Sequence, residues 1–430
     1  MSAIAYYFKS SGKNVAGYDR VATNITNSLQ ENGMDIHFDD SIQLIPGAFK
    51  NSEQSLIVYT PAIPKDHTEY SYFLENNFTM LKRAEVLGEI TKDTFCFAVA
   101  GTHGKTTTST ILGHILKDSG VDATSFLGGI SENYNSNFIL GGNAISVVEA
   151  DEYDRSFLTL SPNIACITSM DADHLDIYGE HSALETSFVK FSKKVSGTLI
   201  VKKGLQIKGK TFGLDEGADY DAKNLKIVDG TYTFDVQTSS DYIENIKTNL
   251  PGKHNVLNAV AALAMANNYG VSLQSIAKAL LTFKGIKRRF SYVIKTENLV
   301  LIDDYAHHPT EIDAIVDSIQ EMYPTNKVLG IFQPHLFSRT RDFADDFAKS
   351  LARFDELILL DIYPARELPI KGITSDWLLG KISIKNKQVS SKENLVKNVV
   401  RSKAKVIVMI GAGDIGEMVG LIKNSLRVEN

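Results

Sequence analysis

The segment 101–108, Gly-Thr-His-Gly-Lys-Thr-Thr-Thr, constrains this chain more than any other feature of its sequence. Apolar residues at 94–100 precede it and predict a buried strand, and residues 107–117 predict a helix after it. A glycine loop between a strand and a helix suits phosphate, because backbone amides and the helix N-terminus together attract anions. Val99 occupies the position of the first Walker A glycine, so an ordinary glycine turn is the alternative.

In a loop of this type, the lysine reaches the β- and γ-phosphates of a nucleotide and the following hydroxyl ligates Mg²⁺. These roles fall on Lys105 and Thr106. The sequence therefore predicts ATP and Mg²⁺ as cofactors. The residues expected to bind the nucleotide here are Gly101, Thr102, His103, Gly104, Lys105, Thr106 and Thr107.

Length and composition limit the class of protein. A chain of 430 residues predicts about three domains. A net charge of −6 gives no basic field for nucleic acid, and no apolar run approaches the ~20 residues of a membrane span. Cys96 and Cys166 both lie in apolar runs, which is typical of a reducing compartment. We see no signal peptide and expect a cytoplasmic protein without membrane insertion; the sequence leaves its oligomeric state unknown.

Strands that alternate with helices predict an α/β fold with parallel sheets covered on both faces. The expected domains are residues 1–92, 93–291 and 292–430. The second changes near 198–236 to short alternating strands, with a hairpin turn at Asp229-Gly230.

Acidic and imidazole side chains follow several of the predicted strands, where ligands bind in such sheets. Glu149 follows the strand 145–148 and suits Mg²⁺, although a solvated acidic turn is the alternative. His174, in the segment 171–176, follows the next strand.

In the third domain, Asp303, Asp304, His307 and His308 come directly after a strand and precede Pro309 at a helix start. We favour the positioning of a nucleotide or second substrate here; zinc is the alternative. Arg339 and Arg341 suit carboxylates or phosphates, unless they are solvated helix-start arginines.

Six motifs occur here in the order seen in the Mur ligases, which this chain resembles from about residue 2 to residue 416. They are G-T-H-G-K-T-T-T, E-A-D-E, D-A-D-H-L-D, G-K-H-N-V-L-N-A, R-R-F and D-D-Y-A-H-H-P-T-E. The resemblance implies a Rossmann-like N-terminal domain for a UDP-sugar, a P-loop central domain for ATP, and a Rossmann-like C-terminal domain that closes over both. It implies ATP-dependent ligation of L-alanine to UDP-N-acetylmuramate through an acyl phosphate, in peptidoglycan and cell-wall synthesis.

The resemblance also implies roles for single residues. Lys105 and Arg289 would contact phosphates, while Thr106, Glu149 and His174 would hold Mg²⁺. Asn258 would contact adenine, and Asp303 or Asp304 would be the acidic nucleotide contact of the closing domain. The candidates for catalysis and for amino-acid or carboxylate binding are His307, His335, Arg339 and Arg341, and Asp19 is the candidate for the UDP-sugar.

Three positions depart from the family pattern. Val189 replaces a lysine that several sister ligases carry in carbamylated form, so we do not expect the modification, although Lys190 is adjacent. Leu336 stands where many members carry arginine. Met1 resembles an internal methionine after the family's glycine loop, so we expect the first strand and that loop to be missing and UDP-sugar binding to be poor.

Two other functions are open on the sequence. A recycling ligase that joins a tripeptide to the same sugar nucleotide shares the loop and a similar A-H-H-P-T block. A non-ligase P-loop ATP-binding protein would not need the His307 and Arg339 clusters.

Overall fold

A computed structural model describes residues 1–64, 66–171, 181–228, 230–365 and 367–427. The chain forms two compact units. Unit 1 contains residues 1–224, 234–246 and 257–283, and unit 2 contains residues 225–233, 247–256 and 284–430. The expected domain boundaries at 92 and 291 remain predictions. In the part of the chain that the structure describes, no helix is long and apolar enough to cross a membrane.

The N-terminal part of unit 1 contains two parallel strand pairs. The strands are β1 (Ala16–Tyr18) with β2 (Asp35–His37), and β3 (Leu56–Tyr59) with β4 (Thr79–Lys82). The helices are α1 (Ser2–Ser10), α2 (Asn24–Glu31), α3 (Thr68–Glu75) and α4 (Arg83–Lys92). The Thr23 side chain caps helix α2 by accepting a hydrogen bond from the Thr26 N–H.

Residues 95–248 contain a sheet of ten strands among the described residues, in the order β14-β13-β12-β11-β10-β9-β5-β8-β6-β7. The strands are β5 (Phe95–Ala100), β6 (Thr124–Ser131), β7 (Ser136–Ile139), β8 (Ile145–Ala150), β9 (Ile164–Ile167), β10 (Thr198–Lys202), β11 (Lys210–Leu214), β12 (Tyr220–Val228), β13 (Thr231–Thr238) and β14 (Tyr242–Thr248). The helices are α5 (Lys105–Asp118), α6 (His181–Ser192), α7 (Lys253–Tyr269) and α8 (Leu273–Thr282). The change to short strands after residue 198 is confirmed; Asp229 of the expected hairpin turn lies outside the described residues.

Strand β5 lies between β8 and β9 and is parallel to both, with Ala100 opposite Ala150 and Ile167. Phe97, Ala98 and Val99 are completely buried, as expected for a strand covered on both faces. The carboxyl ends of these three strands therefore meet at one edge, where the glycine loop begins.

Unit 2 contains a six-stranded sheet among its described residues, in the order β15-β16-β20-β17-β18-β19. The strands are β15 (Ser291–Lys295), β16 (Val300–Asp304), β17 (Val328–Phe332), β18 (Glu356–Leu359), β19 (Asn386–Val389) and β20 (Val406–Ile410). The helices are α9 (Pro309–Met322), α10 (Phe337–Asp342), α11 (Ala344–Leu351), α12 (Ser375–Lys381), α13 (Lys392–Arg401) and α14 (Ile415–Arg427).

Helices cover both faces of this sheet. Neighbouring residues Ile331 and Phe332 on β17 belong to separate hydrophobic cores, one containing Ile415 and the other Phe347. All the strand pairs are parallel except β15 with β16. The antiparallel edge strand β15 was not predicted, because its apolar run is only three residues long.

Candidate functional site

The glycine loop needs glycine at both of its glycine positions. Gly101 has φ +136° and Gly104 has φ +83°, and helix α5 begins at Lys105. A Cβ atom at Gly101 would lie 2.0 Å from Thr168 Oγ1, so the loop packs directly against the residues that follow β9. The predicted strand, loop and helix are confirmed in this order.

Hydroxyl groups after β9 hold the loop in place. Ser169 Oγ accepts a hydrogen bond from the His103 backbone N–H at 2.8 Å and lies 2.9 Å from Thr102 Oγ1. The His103 ring is 3.6 Å from a carboxylate oxygen of Asp171. Thr168 and Ser169 were missed in the sequence; two hydroxyl residues directly after a buried strand were the available signal.

Lys105 does not extend into solvent. Its Nζ lies 2.9 Å and 2.8 Å from the two carboxylate oxygens of Glu152, and it donates to the Gly101 carbonyl at 2.7 Å. Burial acts to lower the pKa of Lys105, but the charges of Glu152, Asp151 and Glu149 outweigh it and raise that pKa above its ordinary value. The ammonium group is therefore charged.

The oxygen atoms of Thr106 and Glu149 lie next to each other. Thr106 Oγ1 donates a hydrogen bond to Glu149 Oε2 at 2.9 Å, across 43 positions of sequence. A hydroxyl and a carboxylate side by side match the oxygen ligands that Mg²⁺ prefers. The third predicted ligand, His174, lies outside the described residues.

Asn258, on α7, contacts the loop from the other side. Its Oδ1 accepts a hydrogen bond from Thr108 at 3.2 Å, and a Cβ atom at Gly104 would lie 2.5 Å from the same oxygen. Asn258, Thr107 and Thr108 are all buried. The structure thus brings this distant residue to the loop.

In unit 2, the two adjacent aspartates at the end of β16 have different surroundings. Asp304 accepts hydrogen bonds from the backbone N–H groups of Phe290 at 2.6 Å and Ala306 at 2.8 Å. Asp303 Oδ1 is buried, has no hydrogen-bond partner among the described residues, and lies 3.7 Å from Arg288 Nε. Burial raises the pKa of each carboxyl group to about 6. Asp303 Oδ1 is therefore held by an ion pair with Arg288 rather than by a hydrogen bond.

Arg288 and Arg289 both lie against Tyr305, with guanidinium carbons 5.0 Å and 5.3 Å from the ring centroid. Arg288 has φ +62° and donates hydrogen bonds to the carbonyls of Gly411 and Gly413. Gly411, Gly413 and Gly416 have the G-x-G-x-x-G spacing between a strand and a helix, a signal that the sequence analysis missed.

His307 and His335 form a second cluster, with ring centroids 5.8 Å apart. Arg339 Nη1 lies 3.3 Å from His335 Nδ1, and the Tyr363 ring stacks on His335 at 5.7 Å. Burial and the positive charge of Arg339 lower the pKa of both histidines, that of His335 to about 4. Both rings are therefore neutral at pH 7 beside a fixed positive charge.

The adjacent histidines 307 and 308 have separate roles. His307 Nδ1 lies 3.0 Å from the Tyr305 carbonyl, whereas His308 Nδ1 accepts from the Thr310 N–H at 3.4 Å and caps helix α9. In the parts of the chain with described residues, no group of three or more His, Cys, Asp or Glu could hold a metal ion.

Five further positions that the sequence singled out are partly or fully exposed. Arg341 is half exposed and pairs with Asp342 at 2.7 Å, and Asp19 follows the end of β1 in solvent. Leu336 precedes helix α10 with φ +70°, a strained conformation for leucine. On α6, Val189 and Lys190 are exposed.

A glycine loop between strand and helix, with a carboxylate beside its lysine and another beside its hydroxyl, defines an α/β nucleotide-binding protein. Family models agree: the Mur ligase middle domain matches residues 99–266, the glutamate ligase domain 288–413, and the Mur ligase family catalytic domain 1–94. The chain belongs to the Mur ligase family, and it has the family's three-domain α/β architecture.

Relatives with a stated activity cover the whole chain. It is 57% identical over 432 residues to the UDP-N-acetylmuramate–L-alanine ligase of Christiangramia forsetii, covering 100% of this chain and 96% of the relative. It is 59% identical over 428 residues to the ligase of the same name from Flavobacterium psychrophilum, covering 99% of this chain and 95% of the relative. The crystal structure of the UDP-N-acetylmuramate-alanine ligase of Thermotoga maritima is similar, with a TM-score of 0.85 and 27% sequence identity. The match covers 100% of this chain and 97% of the other.

Proposed function

We propose that this chain is an ATP-dependent ligase that joins L-alanine to the lactyl carboxylate of UDP-N-acetylmuramate in peptidoglycan precursor synthesis. The observation that carries the proposal is 57–59% identity, over essentially the full chain, to relatives that bear this activity in their names. We place the reaction in the cytoplasm, where ATP and the UDP-sugar are available.

The chemistry begins with attack of the lactyl carboxylate oxygen on the γ-phosphorus of ATP, which releases ADP and leaves an acyl phosphate. Nucleophile and phosphate are both negative, so the site must supply positive charge. The charged Lys105 supplies it at the loop, and Arg289 is the candidate in unit 2. Thr106 and Glu149 would hold Mg²⁺, which neutralises phosphate charge when bound.

The second step joins the amine of alanine to the acyl carbon, with loss of inorganic phosphate and one proton. Arg339 suits the alanine carboxylate, because guanidinium forms paired hydrogen bonds with carboxylates. His307 is neutral at pH 7 and can accept the proton from the amine. His335 supports this group through its contact with Arg339.

The nucleotide contacts outside the loop are assigned by the same reasoning. Asn258 touches the loop at Gly104, and we propose that its amide binds the adenine. Asp303, whose Oδ1 makes no hydrogen bond among the described residues and faces only Arg288, is a better candidate for the ribose hydroxyls than Asp304. Asp19 and Arg341 remain proposed contacts for the UDP-sugar and a substrate carboxylate.

A phosphate-release assay tests the function. Release should require ATP, UDP-N-acetylmuramate and L-alanine together, and the product should contain one alanine per sugar nucleotide by mass spectrometry. Faster turnover with a tripeptide than with alanine would instead identify the recycling reaction. ATP binding without product from either amine donor would identify a non-ligase.

A further inference from the structure

Glu152, in unit 1, has no role in the reaction described above. Its side chain is fully buried, and a buried carboxylate is costly unless it is paired. It lies three positions after Glu149, whose carboxylate accepts from Thr106. The two glutamates at the end of β8 thus have different partners in the same loop: one faces the hydroxyl, the other the lysine.

The backbone around Glu152 is fixed by apolar packing. Glu152 directly precedes the 3₁₀ helix Tyr153–Thr159, and its carbonyl accepts from the Arg155 N–H at 2.9 Å. Phe157 in that helix is completely buried and stacks on Phe191 at 5.0 Å. The backbone that carries the carboxylate is therefore fixed by contacts that do not involve the lysine.

Lys105, by contrast, has a flexible side chain with four carbons before its charge. Both carboxylate oxygens of Glu152 are within 2.9 Å of Nζ, and the Gly101 carbonyl is at 2.7 Å. These contacts hold the ammonium over the loop that would receive the phosphates. Only 12% of the lysine side chain is exposed.

We propose that Glu152 is a positioning residue, which holds the ammonium group of Lys105 in the phosphate loop before the nucleotide arrives. The incoming phosphate then replaces the Gly101 carbonyl as a partner of Nζ, while the contact with Glu152 persists. Because the lysine is already ordered, nucleotide binding does not have to supply the entropy of fixing its side chain. This inference rests on the proposed function only in assigning the nucleotide as ATP.

A double-mutant cycle on the purified full chain tests the proposal. The variants are Glu152→Gln, Lys105→Ala and the combination, and the readout is the affinity for a non-hydrolysable ATP analogue with Mg²⁺. Glu152→Gln should weaken binding by up to about tenfold, since the nucleotide must then order the lysine side chain itself. In the Lys105→Ala background the same change should alter affinity less than about twofold. This readout does not involve alanine or the sugar nucleotide, so it is independent of the ligation reaction.

Thermal stability gives a second signature of the pair. Lys105→Ala leaves a buried carboxylate without its cation, so its melting temperature should fall, and adding Glu152→Gln should restore part of the loss. Asp221→Asn is the matched control, because Asp221 is also buried in unit 1 and accepts from the backbone N–H groups of residues 216 and 217. It should lower the melting temperature without changing the affinity for the analogue.

Three results would overturn the proposal. Equal weakening by Glu152→Gln in both backgrounds would show a general structural role, and unchanged affinity would show no role. Tighter binding would show that Glu152 competes with phosphate for the lysine. If Glu152→Gln does not fold, Glu152→Asp keeps the charge but withdraws it by one methylene, and the same affinity loss and non-additivity are expected.

Discussion

Replacing Gly104 by alanine should destabilise the chain more than the same change at Gly120, although both flank helix α5. Gly104 has φ +83° and Gly120 has φ +78°, so an alanine meets nearly the same backbone strain at either position. They differ in their surroundings: a Cβ atom at Gly104 would lie 2.5 Å from Asn258 Oδ1, whereas one at Gly120 has nothing within 4 Å.

The magnitudes follow from these contacts. A left-handed conformation costs a residue with a side chain about 1–2 kcal/mol, which is the whole effect expected at Gly120. At Gly104 the Asn258 amide must also move, which leaves the buried Thr108 hydroxyl without its acceptor at a cost of about 1–3 kcal/mol. The expected losses of unfolding free energy are therefore about 1–2 kcal/mol for Gly120→Ala and about 2–5 kcal/mol for Gly104→Ala.

Urea unfolding and nucleotide titration together provide the assay. Gly104→Ala should bind an ATP analogue at least about tenfold more weakly, because the loop and Asn258 are displaced, and Gly120→Ala should bind it normally. In an Asn258→Ala background, Gly104→Ala should cost only the backbone strain. Equal losses of stability at the two glycines, or normal nucleotide affinity in Gly104→Ala, would refute the reasoning.

Three further predictions concern the reaction and its pH dependence. Lys105→Ala should reduce acyl-phosphate formation by about 10²–10³-fold, and near-normal turnover would contradict the assignment of the loop. The pKa of Asp303 is raised from 3.8 to about 6, so its contribution to stability is fully present below pH 4 and is lost as the pH rises through 6. In Asp303→Asn, the fall in unfolding free energy between pH 4 and pH 7, measured by urea unfolding, should be smaller by about 3 kcal/mol. Despite Leu336, alanine should be preferred over glycine by about 1–3 kcal/mol in kcat/KM, and a substrate panel in which glycine or serine is faster would show otherwise.

The sequence determined those features that depend on neighbouring residues. The strand, glycine loop and helix at 94–118 were predictable, because apolar content, glycine freedom and helix propensity act locally. Pro309 at the first position of α9 was predicted for the same reason. The family was also predictable, since its motifs are short and occur in a fixed order.

The partners of these residues were decided by the tertiary structure. Glu152 meets Lys105 across 47 positions because β5 and β8 are neighbours in the sheet, and no local pattern selects Glu152 rather than Asp151 or Glu149 for this contact. Arg288 donates a hydrogen bond to the Gly411 carbonyl across 123 positions of sequence, and this contact was not predicted.

The two aspartates of β16 show the same limit on a smaller scale. The sequence offers Asp303 and Asp304 as equals, but successive side chains of a strand point to opposite faces. Asp304 accepts hydrogen bonds from the backbone N–H groups of Phe290 and Ala306, whereas Asp303 Oδ1 forms an ion pair with Arg288. The register of the strand, which only the packed sheet fixes, pairs one aspartate with backbone N–H groups and the other with an arginine.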